Sequence, residues 1–370
     1  MTPIIRFLTG ALFIFSGFIK ANDPMGFGYK LEEYFGVFGI TWLNPAATLI
    51  AVIICVVEMG LGLAILIGWK RIFTLWSLLL MILFFTFLTF YSAWFNVVTD
   101  CGCFGDFLKL TPWQSFTKDV VLLVFIAWLF FRRDHFAPFW SADVRNRLVL
   151  SFVASSILFS AYTWAYLPVI DFRPYAIGKN ILEGMKIPEG APLDEFKDTW
   201  FYKVDGEVKS YTTEEAPWDL PGAEFVDRKT VLVKKGYTPP VHDFTIFDLN
   251  DSEFTEDFLV ADRTLFIVAH QLDKSRSSAW EEMKSMLRWA DVHGVRVALL
   301  TASTSEQIAA FKKEYGDEWP IYITDGTTLK TMIRSNPGLM ALRKGTVVNM
   351  WPARSLPSLN TLAEVLEVNP

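Results

Sequence analysis

Five long apolar stretches in the first half of the chain, at residues 4–18, 46–67, 73–95, 113–131 and 148–167, constrain its fold more than any other feature. A bilayer's hydrocarbon core is about 30 Å thick, and a helix needs roughly 20 apolar residues to cross it with its backbone polar groups paired internally. The last four stretches approach that length. The first is shorter, but Arg6 and Lys20 lie where their stems can run along apolar surface while their charges reach outward. It ends in Lys20-Ala21-Asn22-Asp23-Pro24 with no small-x-small cleavage site, so it reads as a retained signal anchor. The expectation is an all-α membrane bundle of five spans, with lipid as its first partner.

Loop charges set the expected orientation. Lys70 and Arg71 lie between the second and third spans, and Arg132, Arg133, Arg145 and Arg147 between the fourth and fifth. Short cytoplasmic loops are enriched in such cations, so both loops are read as inside. The N-terminus is then cytoplasmic, and the 19–45 loop, the 96–112 loop and everything after Pro168 lie outside. The chain is expected in a bacterial inner (cytoplasmic) membrane with a periplasmic C-terminal domain. Residues 1–170 carry 11 Lys+Arg against 9 Asp+Glu, whereas residues 171–370 carry 23 against 31. An acidic outer half with no basic stripe repels phosphate backbones, which argues against nucleic acid as a partner.

Cys55, Cys101 and Cys103 are the only cysteines, too few for a disulfide scaffold or a structural zinc site. His135, His242, His270 and His293 are scattered without metal-ligand spacing, so no metal is expected. The outer loop Thr99-Asp100-Cys101-Gly102-Cys103-Phe104-Gly105-Asp106 puts two thiols one residue apart on the oxidising side of the membrane. A ring closed across one glycine is strained and readily reducible, so the pair reads either as a redox dithiol or as a loop staple or free thiols. Glu58, in Val56-Val57-Glu58-Met59-Gly60, sits mid-span, where a carboxylate is costly and needs a partner or a cavity. Two roles stay open for it: a proton relay to a bound quinone, or a neutral, hydrogen-bonded group inside the bundle. Cys55, three residues earlier on the same helix face, reads as a small core residue.

Four features lie in register over residues 1–135: Phe15-Ser16-Gly17-Phe18-x-Lys20, Glu58 followed by Gly60 and Gly62, the CGCFG loop, and Lys118-Asp119 entering the fourth span. Together they resemble the MauE/DoxX membrane family. That resemblance implies a four-helix bundle associated with thiol or quinone redox chemistry outside the cytoplasm. It also implies roles for Cys101, Cys103 and Glu58.

Residues 136–175 are read as a cytoplasmic loop and the fifth span, and 176–238 as a small β-rich insert with a hairpin turning at Asp205-Gly206. Residues 239–370 alternate strands and helices: strands at 241–247, 264–269, 295–301, 321–324, 339–343 and 346–351, helices at 278–293, 305–315 and 328–334. Such alternation implies an α/β layer around a central sheet. The order, the HDFTIFD opening and Asn336-Pro337 before paired strands resemble a thioredoxin-like domain of the peroxiredoxin and TlpA type. The resemblance makes Pro337 the cis-proline beside the site. Where such domains carry CxxC, this chain reads His270-Gln271-Leu272-Asp273-Lys274-Ser275-Arg276-Ser277-Ser278 and has no thiol, so the domain is not itself catalytic. The groove beside Asn336 and Pro337 remains a candidate surface for an extended polypeptide.

Two functions follow. One is a membrane component of extracytoplasmic thiol/quinone-linked redox or protein maturation, a candidate thiol-disulfide oxidoreductase with Cys101 and Cys103 as the redox pair, Glu58 assisting and quinone as cofactor. The other is a non-catalytic accessory subunit of an envelope protein-biogenesis or secretion complex. Its partners would be other membrane or envelope proteins, or exported polypeptide clients.

Overall fold

The computed structural model describes residues 1–98, 102–135 and 138–368. Among the described residues, five helices are long and apolar enough to cross a membrane. They are α1 (Thr2–Asn22), α3 (Ala47–Ile67), α4 (Arg71–Phe95), α5 (Pro112–Phe131) and α6 (Ala142–Ala165). Between the first two lies α2 (Pro24–Val37), a helix within the 19–45 segment that is expected from the sequence to be a loop. Its start is set by Asp23, whose side chain accepts from the Gly26 N–H, with Pro24 at the first helical position. Its apolar residues are too few for a span. Large side chains such as Trp76, Leu80, Phe84, Val124, Leu150 and Leu158 point out of the bundle, as lipid-facing residues do. This is a membrane protein.

Helices α1 and α3 pack most closely because glycines face one another across the pair. A Cβ on Gly10 would come 2.8 Å from the Gly62 carbonyl oxygen, one on Gly62 equally close to that of Gly10, and one on Gly17 would meet Met59 at 2.7 Å. Small residues let backbones approach in a medium that supplies no hydrophobic drive between helices. Arg6 fastens the start of α1 to the end of α3, donating to the Ile65 and Leu66 carbonyls at 2.7 and 2.6 Å. Helix α6 leans on the outside of this pair, with Thr163 donating to the Ala21 carbonyl and Phe159 stacked on Phe18.

Residues 181–242 form a separate compact unit. After one turn, α7 (Ile181–Gly184), it is an antiparallel sheet ordered β2-β1-β3, from β1 (Glu195–Val204), β2 (Glu207–Thr212) and β3 (Glu224–Lys234). The β1–β2 turn is at Asp205-Gly206, both with positive φ, as a tight hairpin requires. Trp200 packs edge-on to Trp218 and Phe225, but Phe196, Phe225 and Val233 stay well exposed.

The last region is a five-stranded sheet ordered β6-β5-β4-β7-β8. Its strands are β4 (Thr264–Val268), β5 (Arg296–Thr301), β6 (Ile321–Ile323), β7 (Gly338–Arg343) and β8 (Thr346–Pro352). The first three are parallel, and β7 and β8 run antiparallel. Central β4 is buried along its whole length. Helices α9 (Trp280–Val292), α10 (Ser305–Tyr315) and α12 (Leu359–Leu366) share one core with it. The remaining helices are α8 (Thr255–Val260) and α11 (Gly326–Met332). A central parallel βαβ unit followed by a β-hairpin and a closing helix is the thioredoxin-like arrangement, and the Asn336–Pro337 bond entering β7 is cis.

Three sequence readings are corrected. The expected strand at 241–247 does not form; Phe247 makes only isolated bridges to Glu253 and Ile323. Helices α8 and α12, six and eight residues long, stand in stretches to which the sequence analysis assigns no element. Residues 178–180, assigned to the insert, instead pair with the edge of β8, through Gly178 N–H to Val347 O at 2.8 Å and Val347 N–H to Lys179 O at 2.9 Å.

Candidate functional site

The glycine contact between α1 and α3 has a chemical consequence. Lys20 lies three residues beyond Gly17, and Glu58 four before Gly62, so both project on the sides that meet. They form an ion pair at 2.5 Å with side chains 3% and 5% exposed. The ammonium also lies over the Phe27 and Phe85 rings, 5.1 and 4.9 Å from their centroids. Neither role read from the sequence for Glu58 includes this partner. A buried pair of this kind repays its desolvation only if both members stay, since a lone charge in hydrocarbon is far costlier than two matched ones.

A second pair comes from α5. Lys118 and Asp119 lie 2.6 Å apart, Asp119 is 1% exposed, and its other oxygen accepts from Thr89 of α4 at 3.1 Å. Thr111 starts that helix with a reciprocal capping box to Gln114, which fixes where Lys118 and Asp119 fall about two turns later.

Both pairs line one cavity of about 40 Å³, with Ser16, Tyr34, Thr89, Cys103 and Phe104 among its other walls. That volume holds about three or four water molecules, at about 10–15 Å³ each. A quinone ring is larger than this, and none is placed here. Cys103 reaches the cavity because Gly102 and Gly105 on either side of it adopt positive φ, turning the loop back onto the bundle. The Cys103 carbonyl accepts from Ser16 Oγ at 3.0 Å, and Phe104 packs against Phe15 with Lys118 over its ring. The cavity therefore gathers a thiol, two cations, two carboxylates and room for water. Such a set can hold a thiolate and move its proton.

The candidate residues divide as follows. Glu58 and Cys103 meet at the cavity. Cys101 lies outside the described residues. Cys55 is fully buried among Ala21, Ala47, Ala51 and Met59, in a separate apolar cluster. Asn336 and Pro337 belong to a different place, the entry to β7. Lys20, expected to carry its charge outward from the end of the first span, is instead buried against Glu58, and Lys118 and Asp119 enter the sequence analysis only as motif residues. The available signal was charge inside apolar runs, the same signal that singled out Glu58.

The position that holds CxxC in redox-active thioredoxin folds is filled by polar contacts of the domain itself. Ser275 Oγ donates to the Leu272 carbonyl at 2.6 Å and accepts from Trp280 Nε1 at 3.0 Å. Arg276 N–H donates to the Asn336 carbonyl at 2.9 Å, and Asn336 Nδ2 to the Gln271 carbonyl at 2.7 Å. His270, edge-on to Tyr29 of α2, is held well below its ordinary pKa, at about 4, by burial and then by Lys330 and Lys274. It is a neutral imidazole at physiological pH.

Residues 1–132 match the family model described as Methylamine utilisation protein MauE, and residues 196–235 match one described as Domain of unknown function (DUF8463). Protein TlpB of Flavobacterium psychrophilum is 24% identical over 216 residues, 56% of this chain and 57% of that protein, so the chain spans a little over half the length of the curated relative it matches. Among solved structures, the solution structure of a candidate protein disulfide isomerase from Bacteroides thetaiotaomicron is 16% identical and aligns over 34% of this chain and 83% of that chain, with a TM-score of 0.27. The amino-terminal helices are thus similar to the MauE membrane family. The thioredoxin-like reading of the last region rests on its own strand order.

Proposed function

We propose that this chain, a MauE-type membrane bundle joined to a cysteine-free thioredoxin-like domain, is a thiol redox component of the bacterial inner membrane that acts on extracytoplasmic proteins through Cys101 and Cys103. The loop cations support an outward-facing CGC loop and periplasmic C-terminal regions. One observation supports the chemistry: Cys103 lines the same cavity as the Lys20–Glu58 and Lys118–Asp119 pairs. Buried ionisable groups inside a membrane bundle are expensive, and they are kept where charge or protons must be handled.

In the exchange, a partner protein's thiolate attacks the Cys101–Cys103 disulfide, and one cysteine leaves as a thiolate. The partner's second thiolate then displaces the other cysteine from the mixed disulfide. The partner loses two electrons as its disulfide forms, and the pair gains them as a dithiol. The two protons given up by the partner thiols balance the two taken up by the cysteines. Lys118 favours the departing thiolate by its charge, and the water-sized cavity gives the proton a route to Asp119 or Glu58. Strain across a single glycine favours this direction, because it makes the bridge a strong oxidant. Renewing the disulfide takes a two-electron acceptor, for which the sequence suggests a quinone.

The test is trapping. Cys101→Ser and Cys103→Ser variants each keep one thiol of the pair and are expected to accumulate mixed disulfides with envelope proteins on non-reducing gels, identified by mass spectrometry. Absence of adducts in both, with an unchanged thiol state of envelope proteins in the double variant, refutes the proposal. The accessory-subunit reading draws on the exposed Phe196, Phe225 and Val233 of the insert. It gains less from Asn336 and Pro337, because the Asn336 carbonyl is already taken by Arg276. It predicts stable co-purification with other membrane proteins whether or not the cysteines are present.

A further inference from the structure

Arg334 follows α11 and precedes the Asn336–Pro337 bond by two residues, yet its contacts are with the membrane bundle. Its side chain is 7% exposed. Nε donates to both oxygens of Asp23, at 3.0 and 2.8 Å, and Nη2 to Asp106 Oδ2 at 3.3 Å, while Nη1 donates to the Lys330 carbonyl. Burial works against this charge and the two carboxylates more than restore it, so the guanidinium stays firmly protonated. A Cβ on Gly26 would lie 2.7 Å from Nη2 and 2.4 Å from an Asp23 oxygen, so the missing side chain is what admits the fork.

The two carboxylates belong to the two segments that build the cavity. Asp23 lies three residues beyond Lys20, at the end of α1. Asp106 lies three residues beyond Cys103, in the turn that carries Phe104. A planar guanidinium holding carboxylates from two segments fixes both distance and angle, which a flexible ammonium does not. Nearby, Lys330 lies 4.5 Å over the Tyr29 ring and 3.7 Å from Glu32, a partly exposed contact that touches neither segment.

We propose that Arg334 is a positioning residue for Cys103: the thioredoxin-like domain, without a thiol of its own, clamps the cysteine loop against the end of α1 and so sets the reactivity of the pair. The inference rests on the redox reading of Cys101 and Cys103. A held loop has less chain entropy to lose when the bridge closes, so the clamp favours the disulfide, and releasing it favours the dithiol.

The full-length protein in mild detergent is equilibrated with glutathione buffers, and the dithiol is counted by alkylation mass shift. Asp106→Asn and Arg334→Met are both expected to move the dithiol-to-disulfide ratio toward dithiol, by roughly three- to ten-fold. Arg334→Lys keeps the charge without the fork and recovers part of the shift. Glu32→Gln, which loosens the neighbouring contact alone, leaves the ratio at its wild-type value. Asp106→Asn protein that melts like wild type and keeps the wild-type ratio overturns the clamp. So does a Glu32→Gln shift as large as that of Asp106→Asn, which would assign the effect to docking alone. A wild-type chain with no reducible pair refutes the redox reading itself, whereas a responsive wild-type pair indifferent to Asp106→Asn refutes only the clamp.

Discussion

The bundle and the thioredoxin-like domain solve opposite problems with polar groups. In the bundle, Lys20 with Glu58 and Lys118 with Asp119 form ion pairs in a region where apolar residues would be cheaper, and both pairs line a cavity with a thiol. In the domain, the position that could carry chemistry has been closed by short hydrogen bonds: Ser275 between Leu272 and Trp280, Arg276 on Asn336. One site retains costly charges beside a cavity, whereas the other has spent its polar atoms on its own backbone. Under the proposed function, thiol chemistry lies beside the buried charges of the bundle and not in the fold ordinarily associated with it.

The contrast breaks most visibly if the bundle charges are removed singly. Lys20→Met or Glu58→Met is expected to destabilise the detergent-solubilised chain by about 3–5 kcal/mol, since each leaves an unmatched buried charge, while the double variant recovers most of the loss. Thermal unfolding of the four proteins decides this. Equal losses in single and double variants would mean that the two residues do not act as a pair.

In the domain the expected effects are smaller. His270 has its pKa lowered from about 6.5 to about 4, so between those values the unfolded chain takes a proton that the folded chain refuses. Stability from this group is complete well above pH 6.5 and falls as the pH drops toward 4, by about 3 kcal/mol. His270→Gln should flatten that part of the stability profile relative to wild type; parallel profiles would contradict it. The least effect is expected from Ser275→Ala, about 1 kcal/mol for the lost Trp280 contact. Alkylation of the CGC cysteines should proceed at its wild-type rate in that variant, because Ser275 is structural.

How much of this was legible in the sequence differs between the same two regions. The spans were legible because hydrocarbon imposes one rule on every residue, and their ends moved by only a few positions. The long strands and helices of the domain were legible by period and length, as was the seven-residue α11, whereas α8 and α12, six and eight residues long, were missed. Glu58 was found as a charge in an apolar run. Lys20 escaped as its partner because it stands near a span end, where a cation is ordinarily read as reaching for the interface. Gly10, Gly17 and Gly62 brought the pair together, and no period reports which two helices a glycine serves. Arg334 gave no signal at all, since its partners are 311 and 228 residues away along the chain.

The central claim is that Cys101 and Cys103 cycle between dithiol and disulfide in the intact membrane protein. Native membranes exposed to graded glutathione potentials, quenched with acid, alkylated and read by mass spectrometry, test it most directly. The account predicts that both cysteines convert together over one two-electron transition while Cys55 stays unlabelled until the protein is denatured. Cysteines that remain in one state across the whole range, or that respond independently of each other, would contradict it.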